Sequence, residues 1–391
     1  MRTPALGEVV DVVHGLYDPR RAEAWDAVGL HLGDPGQPVR RVLLAVDPED
    51  VVVDEALAWG ADLLLTHHPL FLRGVHGFAA TTPKGRRAHR LVRAGCALLT
   101  AHTNADVADP GVSDALASAL GLVDLRPLQP LPADPLDKVV VFVPHADAPA
   151  LVDALAGAGA GALGDYDRCA WTTTGTGTFR PLDGARPAVG RVGEVEVVPE
   201  TRVEMVLPRH RRAGVVAALR RAHPYEEPAF DVLELAAGDS RRGLGRVGRL
   251  PEPEPLAAFV RRAAAALPAA PAGVRAAGDP DRLVRRVAVC GGAGDSLLGA
   301  AAASGADAYV TADLRHHPVV EALGPERPAL LDVGHWASEH PWLADAARRT
   351  VDALRAAGAT VEARVSTVPT DPWSVHAPPA GPPAHETRSR R

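Results

Sequence analysis

The segment Asp62–Phe71, with the sequence DLLLTHHPLF, determines how the rest of the chain is interpreted. Its apolar run Leu63–Leu65 predicts a buried strand, and two adjacent histidines, His67 and His68, follow almost at once. Pro69 lacks the backbone N–H that a sheet ladder needs, so the strand has to end there. At such a strand end two neighbouring imidazoles can splay around one small volume and reach different metal ions. An ordinary polar turn is the alternative for this segment taken alone.

Length, charge and cysteine content exclude several classes of protein. A chain of 391 residues is long enough for two or three domains, each with a core of its own. A net charge of -6 and 4% aromatic residues, without a basic block, do not favour nucleic acid as a partner. Three cysteines in no paired spacing favour a reducing compartment and argue against a thiolate zinc site. No segment resembles a membrane span or a secretory leader, so we expect a cytoplasmic protein without membrane contact.

The opening segment belongs to an alternation of strands and helices. Strands are predicted at 42–46, 62–66 and 97–100, with helices at 48–59 and 84–93 between them. This alternation predicts a parallel sheet with crossover helices. The pattern from Gly60 to Thr66 recurs from Gly305 to Thr311, which indicates two related α/β halves. Their strand ends should face one crevice, where open α/β sheets bind their ligands.

The composition changes between the two halves. Four prolines within residues 125–137 predict a linker or a domain edge. Two βαβ units follow within residues 138–240, which predicts a ferredoxin-like insert. Between these units lies Gly175–Pro181, GTGTFRP, which we interpret as a conformationally demanding loop because no helix follows it as in a phosphate loop. The segment His223–Pro228, HPYEEP, is predicted as a rigid turn whose acids are solvated or lie at an interface.

The predicted fold class is therefore α/β, with two related α/β halves forming one metal-binding core. A ferredoxin-like α+β insert interrupts this core. The predicted boundaries are residues 1–126 for the first half, 138–240 for the insert and 241–366 for the second half. Residues 367–391 are rich in proline and polar side chains and are predicted as a disordered tail.

Three predicted strand ends carry candidate metal ligands, namely His67 with His68, His102 with Asp106, and His335 with Glu339. In the last two pairs a spacing of four residues places an imidazole and a carboxylate on one face of a helical turn. Six nitrogen and oxygen donors exceed the three that one catalytic zinc needs. They suit two metal ions about 3.5–4 Å apart. The donor set excludes a soft thiolate site and is compatible with zinc, iron, manganese, cobalt or nickel. For each histidine taken singly, a hydrogen-bonded loop residue is the alternative.

Four motifs extend this interpretation: WDAVGL at 25–30, THHPLF at 66–71, AHTNAD at 101–106 and DVGHWASE at 332–339. They resemble the signatures of the NIF-three-like dinuclear metal-centre family, whose members are often labelled GTP cyclohydrolase I type 2 homologues. The resemblance extends to about Arg364 and includes the insert, which resembles the PII/CutA-like domain of the longer bacterial members. It implies two divalent metal ions per subunit, ligated by His67, His68, His102, Asp106, His335 and Glu339. It also implies a toroidal homohexamer whose metal sites face an interior cavity and whose insert helps to close the ring.

Two hypotheses for the function follow. The leading one is a metal-dependent hydrolase that acts on a nucleotide or phosphoester-type small molecule, with Asp106 and Glu339 as bridging or chelating carboxylates. His316 and His317 are candidate proton shuttles, with a polar turn that echoes the first half as the alternative. No Walker motif or guanine-reading signature supports GTP as the substrate. The other hypothesis is a non-catalytic metal-handling or regulatory hexamer; a purely structural scaffold would leave six clustered donors without a role.

Overall fold

The computed structural model describes residues 1–238 and 240–377. The described residues of Met1–Leu131 and Arg241–Arg391 form one compact unit, and those of Pro132–Ser240 form a second. The helices are α1 (Leu6–Leu16), α2 (Asp50–Trp59), α3 (Pro83–Arg93), α4 (Thr103–Asp106), α5 (Val112–Ala119), α6 (Ala148–Gly157), α7 (Arg212–Ala222), α8 (Leu256–Ala266), α9 (Leu298–Ala303), α10 (His316–Ala322) and α11 (His335–Ala356). The strands are β1 (Gly29–Leu32), β2 (Arg41–Ala45), β3 (Leu63–Thr66), β4 (Ala97–Thr100), β5 (Val123–Pro130), β6 (Leu136–Pro144), β7 (Trp171–Phe179), β8 (Glu196–Pro208), β9 (Phe230–Glu234), β10 (Gly243–Pro255), β11 (Arg275–Ala277), β12 (Leu283–Ala293), β13 (Ala308–Ala312), β14 (Ala329–Asp332) and β15 (Glu362–Val365).

The first sheet of the larger unit has the strand order β1-β4-β3-β2-β15. Strands β2, β3 and β4 are parallel, β15 continues the parallel arrangement beside β2, and β1 closes the other edge in the antiparallel direction. Leu63 and Leu65 belong to one hydrophobic core and Leu64 to another, as the alternation of side chains along a strand requires. Both faces of this sheet are therefore covered, which explains why β3 is an uninterrupted apolar run.

The second sheet of this unit has the order β11-β14-β13-β12-β10-β5. Strands β12, β13 and β14 are parallel, whereas β11, β10 and β5 pair in the antiparallel direction. Strand β5 lies at an edge, where Pro127 and Pro130 are tolerated because an edge strand leaves some N–H positions unpaired. The proline-rich region 125–137 thus begins inside an edge strand, and the border between the two units follows Leu131.

The two sheets repeat one local construction. Asp62, before β3, accepts hydrogen bonds through Oδ2 from the backbone N–H groups of Arg40 (2.7 Å) and Arg41 (2.9 Å). Asp307, before β13, accepts the equivalent bonds from Arg285 (2.9 Å) and Arg286 (2.8 Å). The glycine two residues before each aspartate, at 60 and 305, has a positive φ of 71° and 69°. The recurrence seen in the sequence is therefore also a recurrence of backbone geometry.

Helix α11 links the two sheets. It packs against β2 and β15 of the first sheet and against β12 and β13 of the second. Trp342 is its largest fully buried side chain, with no exposed surface. The N-terminal turns of α11 consequently lie beside the strand ends of both sheets. None of the described helices is long and apolar enough to cross a membrane.

The smaller unit is a four-stranded antiparallel sheet in the order β7-β8-β6-β9. Helices α6 and α7 pack against one face of it, and their leucines share a core with the buried valines of β6. Gly175 and Gly177 lie within β7, paired in register with β8, so the interpretation of this segment as a loop is wrong for residues 175–179. Pairing along β8 supplies the backbone hydrogen bonds that fix these glycines in an extended conformation.

Candidate metal centre

The predicted ligands come together where three strands of the larger unit end. His67 and His68 directly follow β3, His102 follows β4 by two residues, and α4 carries Asp106. His335 begins α11 just after β14, and Glu339 lies one turn further along that helix. The short parallel strands therefore deliver all six side chains to one end of the unit.

Each histidine is oriented by a hydrogen bond from Nδ1. The acceptors are Ala101 O for His67 (2.9 Å), Asp47 Oδ1 for His68 (2.7 Å), Asp26 Oδ1 for His102 (2.8 Å) and Asp313 Oδ2 for His335 (2.7 Å). A histidine that donates Nδ1–H to a carboxylate or carbonyl keeps Nε2 free as a metal ligand. All four histidines follow this rule, so their orientation is the one that metal-binding histidines adopt.

Glu339 lies at the middle of the cluster. Its Oε1 atom is 3.0 Å from Nε2 of His335 and 3.5 Å from Nε2 of His67, and its Oε2 atom is 3.2 Å from Nε2 of His68. Asp106 lies on the other side, with Oδ1 3.6 Å from Nε2 of His67. Two overlapping groups could each hold a metal ion, because their donor atoms lie within 4.8 Å of one another: His67, His68 and His102, and His68, His335 and Glu339.

Two buried atoms of this cluster, Nε2 of His67 and Oε2 of Glu339, form no hydrogen bond of acceptable geometry, although Oε2 of Glu339 lies 3.2 Å from Nε2 of His68. Leaving such atoms unpaired costs about 1–3 kcal/mol each, so their presence needs an explanation. A divalent cation held by these residues would remove this cost. Five carboxylates surround the four imidazoles, and a cationic group also compensates that charge. The residues therefore fit a metal ion.

The charges of the cluster are strongly coupled. Burial by itself lowers the pKa of His68, but the Glu339 and Asp47 carboxylates outweigh it and raise that pKa to about 10. Burial also lowers the pKa of His335, but the Glu339 and Asp313 carboxylates outweigh this effect and raise that pKa to about 11. Burial raises the pKa of Glu339, yet the surrounding imidazoles hold it well below its ordinary value. Without a metal ion the carboxylates therefore favour protonated imidazoles, and a bound cation would have to displace those protons.

Buried aromatic and amide groups fix the position of the first two ligand loops. The His67 ring packs against Trp342 with centroids 5.3 Å apart, and the Trp342 indole donates to the hydroxyl of Tyr17 (3.1 Å). Asn104, 1% exposed, accepts from the backbone N–H of His102 (2.9 Å) and donates to the Tyr17 carbonyl (2.7 Å). This network holds the turn between β4 and α4 in one conformation.

Sequence reasoning missed four contributors to the site. Asp47 follows β2 by two residues, and Asp313 directly follows β13. Their position after parallel strands is the sequence feature that could have indicated a role in the site. Asp26 lies in the WDAVGL motif, but the sequence alone indicates no role for it. Gly292, near the end of β12, has a φ of 66°, and a Cβ there would clash with Oε1 of Glu339 and lie 3.2 Å from Nε2 of His335. Only tertiary packing reveals that this glycine leaves room for the cluster.

The two candidate proton shuttles, His316 and His317, are exposed at the start of α10, and their rings contact each other with centroids 5.2 Å apart. Neither belongs to the two groups of clustered donors found among the described residues. Their nearest link to the cluster along the chain is Asp313, which precedes His316 by three residues and accepts from His335.

Part of the segment predicted as a tail contacts the site. The Thr370 hydroxyl donates to Oδ2 of Asp47, the carboxylate that orients His68. Just before it, Ser366 donates its backbone N–H to Leu44 O (2.8 Å), which anchors the segment beside β2. The prediction for residues 378–391 lies outside the described residues.

Fold and site together define an α/β protein with a buried histidine–carboxylate cluster that could bind a metal ion. The model of the Duf34/NIF3 (NGG1p interacting factor 3) family matches residues 4–372. The chain therefore belongs to the DUF34/NIF3 family, in agreement with the resemblance seen in its motifs.

Relatives and solved structures agree with this assignment. The chain is 56% identical over 372 residues to the GTP cyclohydrolase 1 type 2 homolog of Mycobacterium tuberculosis, covering 95% of this chain and 97% of that protein. It is 40% identical over 316 residues to the protein of the same name from Bacillus subtilis, covering 80% and 83%. The crystal structure of a Bacillus cereus protein related to NIF3 superposes with a TM-score of 0.81 at 35% identity, covering 96% of this chain and all of the other.

Proposed function

We propose that His67, His68, His102, Asp106, His335 and Glu339 hold two divalent metal ions, and that the chain is a metal-dependent hydrolase of a nucleotide or phosphoester-type small molecule. The observation that carries the proposal is the pair of buried, unpartnered atoms, Nε2 of His67 and Oε2 of Glu339, among imidazoles that all donate through Nδ1. The names of the relatives support a nucleotide as one substrate class to test.

Two metal ions are favoured over one by the way the donors are shared. The two groups of donors overlap at His68, but an imidazole nitrogen has one lone pair and can serve only one ion. Glu339 has two oxygens and lies within 3.5 Å of three imidazoles, so it is the proposed bridge. Asp106 is the second proposed bridging or chelating carboxylate. Zinc, iron, manganese, cobalt and nickel all suit these donors.

The chemistry that such ions supply when bound is a water of lowered pKa and a positive clamp for a substrate oxygen. The chain itself orients the imidazoles through the Nδ1 acceptors and leaves one side open. The side chains of His68 and His335 are 22% and 32% exposed, whereas that of His67 is 1% exposed. Trp25 is 59% exposed and contacts the His102 ring edge-on, so it offers an apolar surface beside His102. His316 and His317 remain the proposed proton shuttles.

We infer further that the larger unit consists of two related α/β halves. The shared order of three parallel strands with one antiparallel edge strand, and the equivalent bonds of Asp62 and Asp307, support this. The strand order and the α6 and α7 placement support a ferredoxin-like insert. A toroidal homohexamer is proposed from the family resemblance, and the three unpaired cysteines support a cytoplasmic protein.

The test is elemental analysis of untagged protein, followed by hydrolysis assays on nucleotides and phosphoesters with each metal found. About two tightly bound ions per chain, with turnover that disappears in His67→Ala and persists in His210→Ala, support the proposal. His210 is exposed in the insert and serves as the matched control. Two exchangeable ions without turnover on any substrate indicate the metal-handling alternative, and protein that binds no metal overturns both.

A further inference from the structure

Two motifs that the metal centre does not explain line one pocket in the smaller unit. The pocket has a volume of about 630 Å³, and every residue that lines it lies between Phe142 and Ala229. One wall is the β7 segment from Thr173 to Phe179, and another is the turn Tyr225–Glu227. The glycine-rich motif and the HPYEEP motif, far apart in sequence, therefore meet around the same space.

The HPYEEP turn is locked onto the sheet. His223, 7% exposed, donates through Nε2 to the Phe142 carbonyl (2.8 Å) and accepts at Nδ1 from the backbone N–H of Tyr225 (3.0 Å). The Tyr225 ring packs against Phe179 with centroids 5.5 Å apart. The two acids of this turn, Glu226 and Glu227, are exposed, and both line the pocket.

The walls of the pocket are mostly apolar. Phe142, Phe179 and the Tyr225 ring come from the sheet and the turn, and Ala185, Pro187 and Val189 come from the segment after β7. A Cβ at Gly177 would clash with the carboxylate of Glu200, so this glycine leaves room for that side chain in its present conformation. A concave, largely apolar site of this size with a few converging polar groups is typical of small-molecule binding.

The charges that line the pocket are predominantly negative. Glu200, Glu226 and Glu227 contribute carboxylates, and Arg202 is the one cationic residue of the lining. Its guanidinium is already paired with Glu204, outside the pocket, at 2.9 Å. Burial and the Glu200 carboxylate raise the pKa of Tyr225 to about 12, so the phenol stays neutral. The lining thus combines aromatic surface with three carboxylates against one guanidinium, an excess of negative charge that favours organic cations.

We propose that this pocket binds a small organic cation, with an ammonium, amidinium or guanidinium group at Glu200 and an apolar body against Phe142 and Phe179. The proposal is independent of the metal centre, because every residue that it uses belongs to Pro132–Ser240. It gives the insert a ligand-binding role that can coexist with hydrolysis or with metal handling.

The test is calorimetric titration of the full chain with benzamidine, its neutral analogue benzamide and its anionic analogue benzoate. Benzamidine should bind at least about tenfold more tightly than either analogue, because only the amidinium pairs with the carboxylates. Glu200→Gln should weaken benzamidine binding by about tenfold or more. Glu194→Gln, an exposed change in the same unit and outside the pocket lining, should leave it within about twofold.

A second variant keeps the proposal testable if Glu200→Gln unfolds. Ala188 is exposed and lines the pocket, so Ala188→Trp should fill the space while leaving the Glu200 side chain unchanged in sequence, and it should abolish benzamidine binding. Equal affinity for benzamidine and benzamide overturns the proposal, as does preference for benzoate. Unchanged benzamidine binding in both pocket variants also overturns it, since the cation then binds elsewhere.

Discussion

Glu339 and His335 lie one helical turn apart at the start of α11, and Oε1 of Glu339 is 3.0 Å from Nε2 of His335. This pair joins a strand end of the second sheet to His67 and His68 at a strand end of the first, because Glu339 contacts both of those imidazoles. The two sheets therefore build one site through a single carboxylate.

Glu339→Gln tests this central position. The amide keeps the size of the side chain but removes the negative charge that three imidazoles surround. We expect the variant to lose at least one of the two proposed metal ions. Loss of a group that only orients a ligand lowers metal affinity by roughly tenfold to hundredfold, and loss of a ligand itself should lower it further. The measurement is elemental analysis after dialysis against a chelator. The control is Glu321→Gln, an exposed change on α10; a Glu339→Gln protein with full metal content would contradict the prediction.

Asp47→Ala tests the orientation of His68. Its carboxylate accepts the Nδ1–H of His68 at 2.7 Å, and without it the ring can rotate away from the cluster. Metal affinity should fall about 10- to 100-fold. Thr370→Ala removes only the hydroxyl that donates to Asp47, so its effect should be smaller. Competition with a chromogenic chelator measures both, and Asp54→Ala, on the exposed face of α2, is the control. If Asp54→Ala and Asp47→Ala lower metal affinity equally, Asp47 does not act by orienting His68.

Much of the fold could be predicted from the sequence because its strands are short apolar runs bounded by glycine, proline and charged residues. Leu63–Leu65 is such a run, and the ligands were found because they directly follow runs of this kind. The carboxyl ends of parallel strands meet at one edge of the sheet, so residues that follow different strands are predicted to lie close together. The six candidate ligands are close together in the structure, while the metal ions themselves stay a prediction.

The remaining features depend on contacts between distant segments. Asp313 orients His335, 22 residues away; its place directly after β13 indicates a strand end, but only the fold shows that it contacts this histidine. Gly292 is required by the Glu339 side chain, which reaches it from another element. The glycine-rich segment that contains Gly175 and Gly177 resembles a conformationally demanding loop in the sequence, yet it pairs with β8 as part of β7. The intrinsic strand propensity of a residue does not include the effect of a partner strand that is distant in sequence.

Gly292→Ala tests the space beside the cluster. The added Cβ would clash with Oε1 of Glu339, and the positive φ of 66° adds a cost of roughly 1–2 kcal/mol for a residue with a Cβ. We expect reduced metal content with the fold retained, measured by elemental analysis alongside circular dichroism. Gly299→Ala is the matched control, because a Cβ at this position of α9 meets nothing within 4 Å. Full metal content in Gly292→Ala would show that Glu339 can shift without loss of binding.

Asp137 gives the insert a stability that depends on pH. Its fully buried carboxylate accepts from Nε of Arg212 (2.7 Å) and Nε of Arg209 (3.0 Å). The hydrogen bond from Arg212 is the largest cause that lowers its pKa, against the opposing effect of burial, and Arg209 adds to it. The folded pKa therefore lies below the unfolded value of about 3.9. The stabilisation is present above that value and is lost as the pH falls through the folded pKa.

Asp137→Asn should therefore reduce the free energy of opening of β6 by about 1–3 kcal/mol near neutral pH, because it removes a charged acceptor from two guanidinium groups. Hydrogen exchange of the β6 amides in the full chain measures this quantity. The difference from the wild-type chain should shrink as the pH is lowered from about 6 to about 3, since protonation of Asp137 abolishes the same charge. Asp231→Asn, an exposed change on the neighbouring strand β9, is the control and should have an effect within about 0.5 kcal/mol. A difference that stays constant with pH would mean that Asp137 stabilises the sheet through its shape rather than its charge.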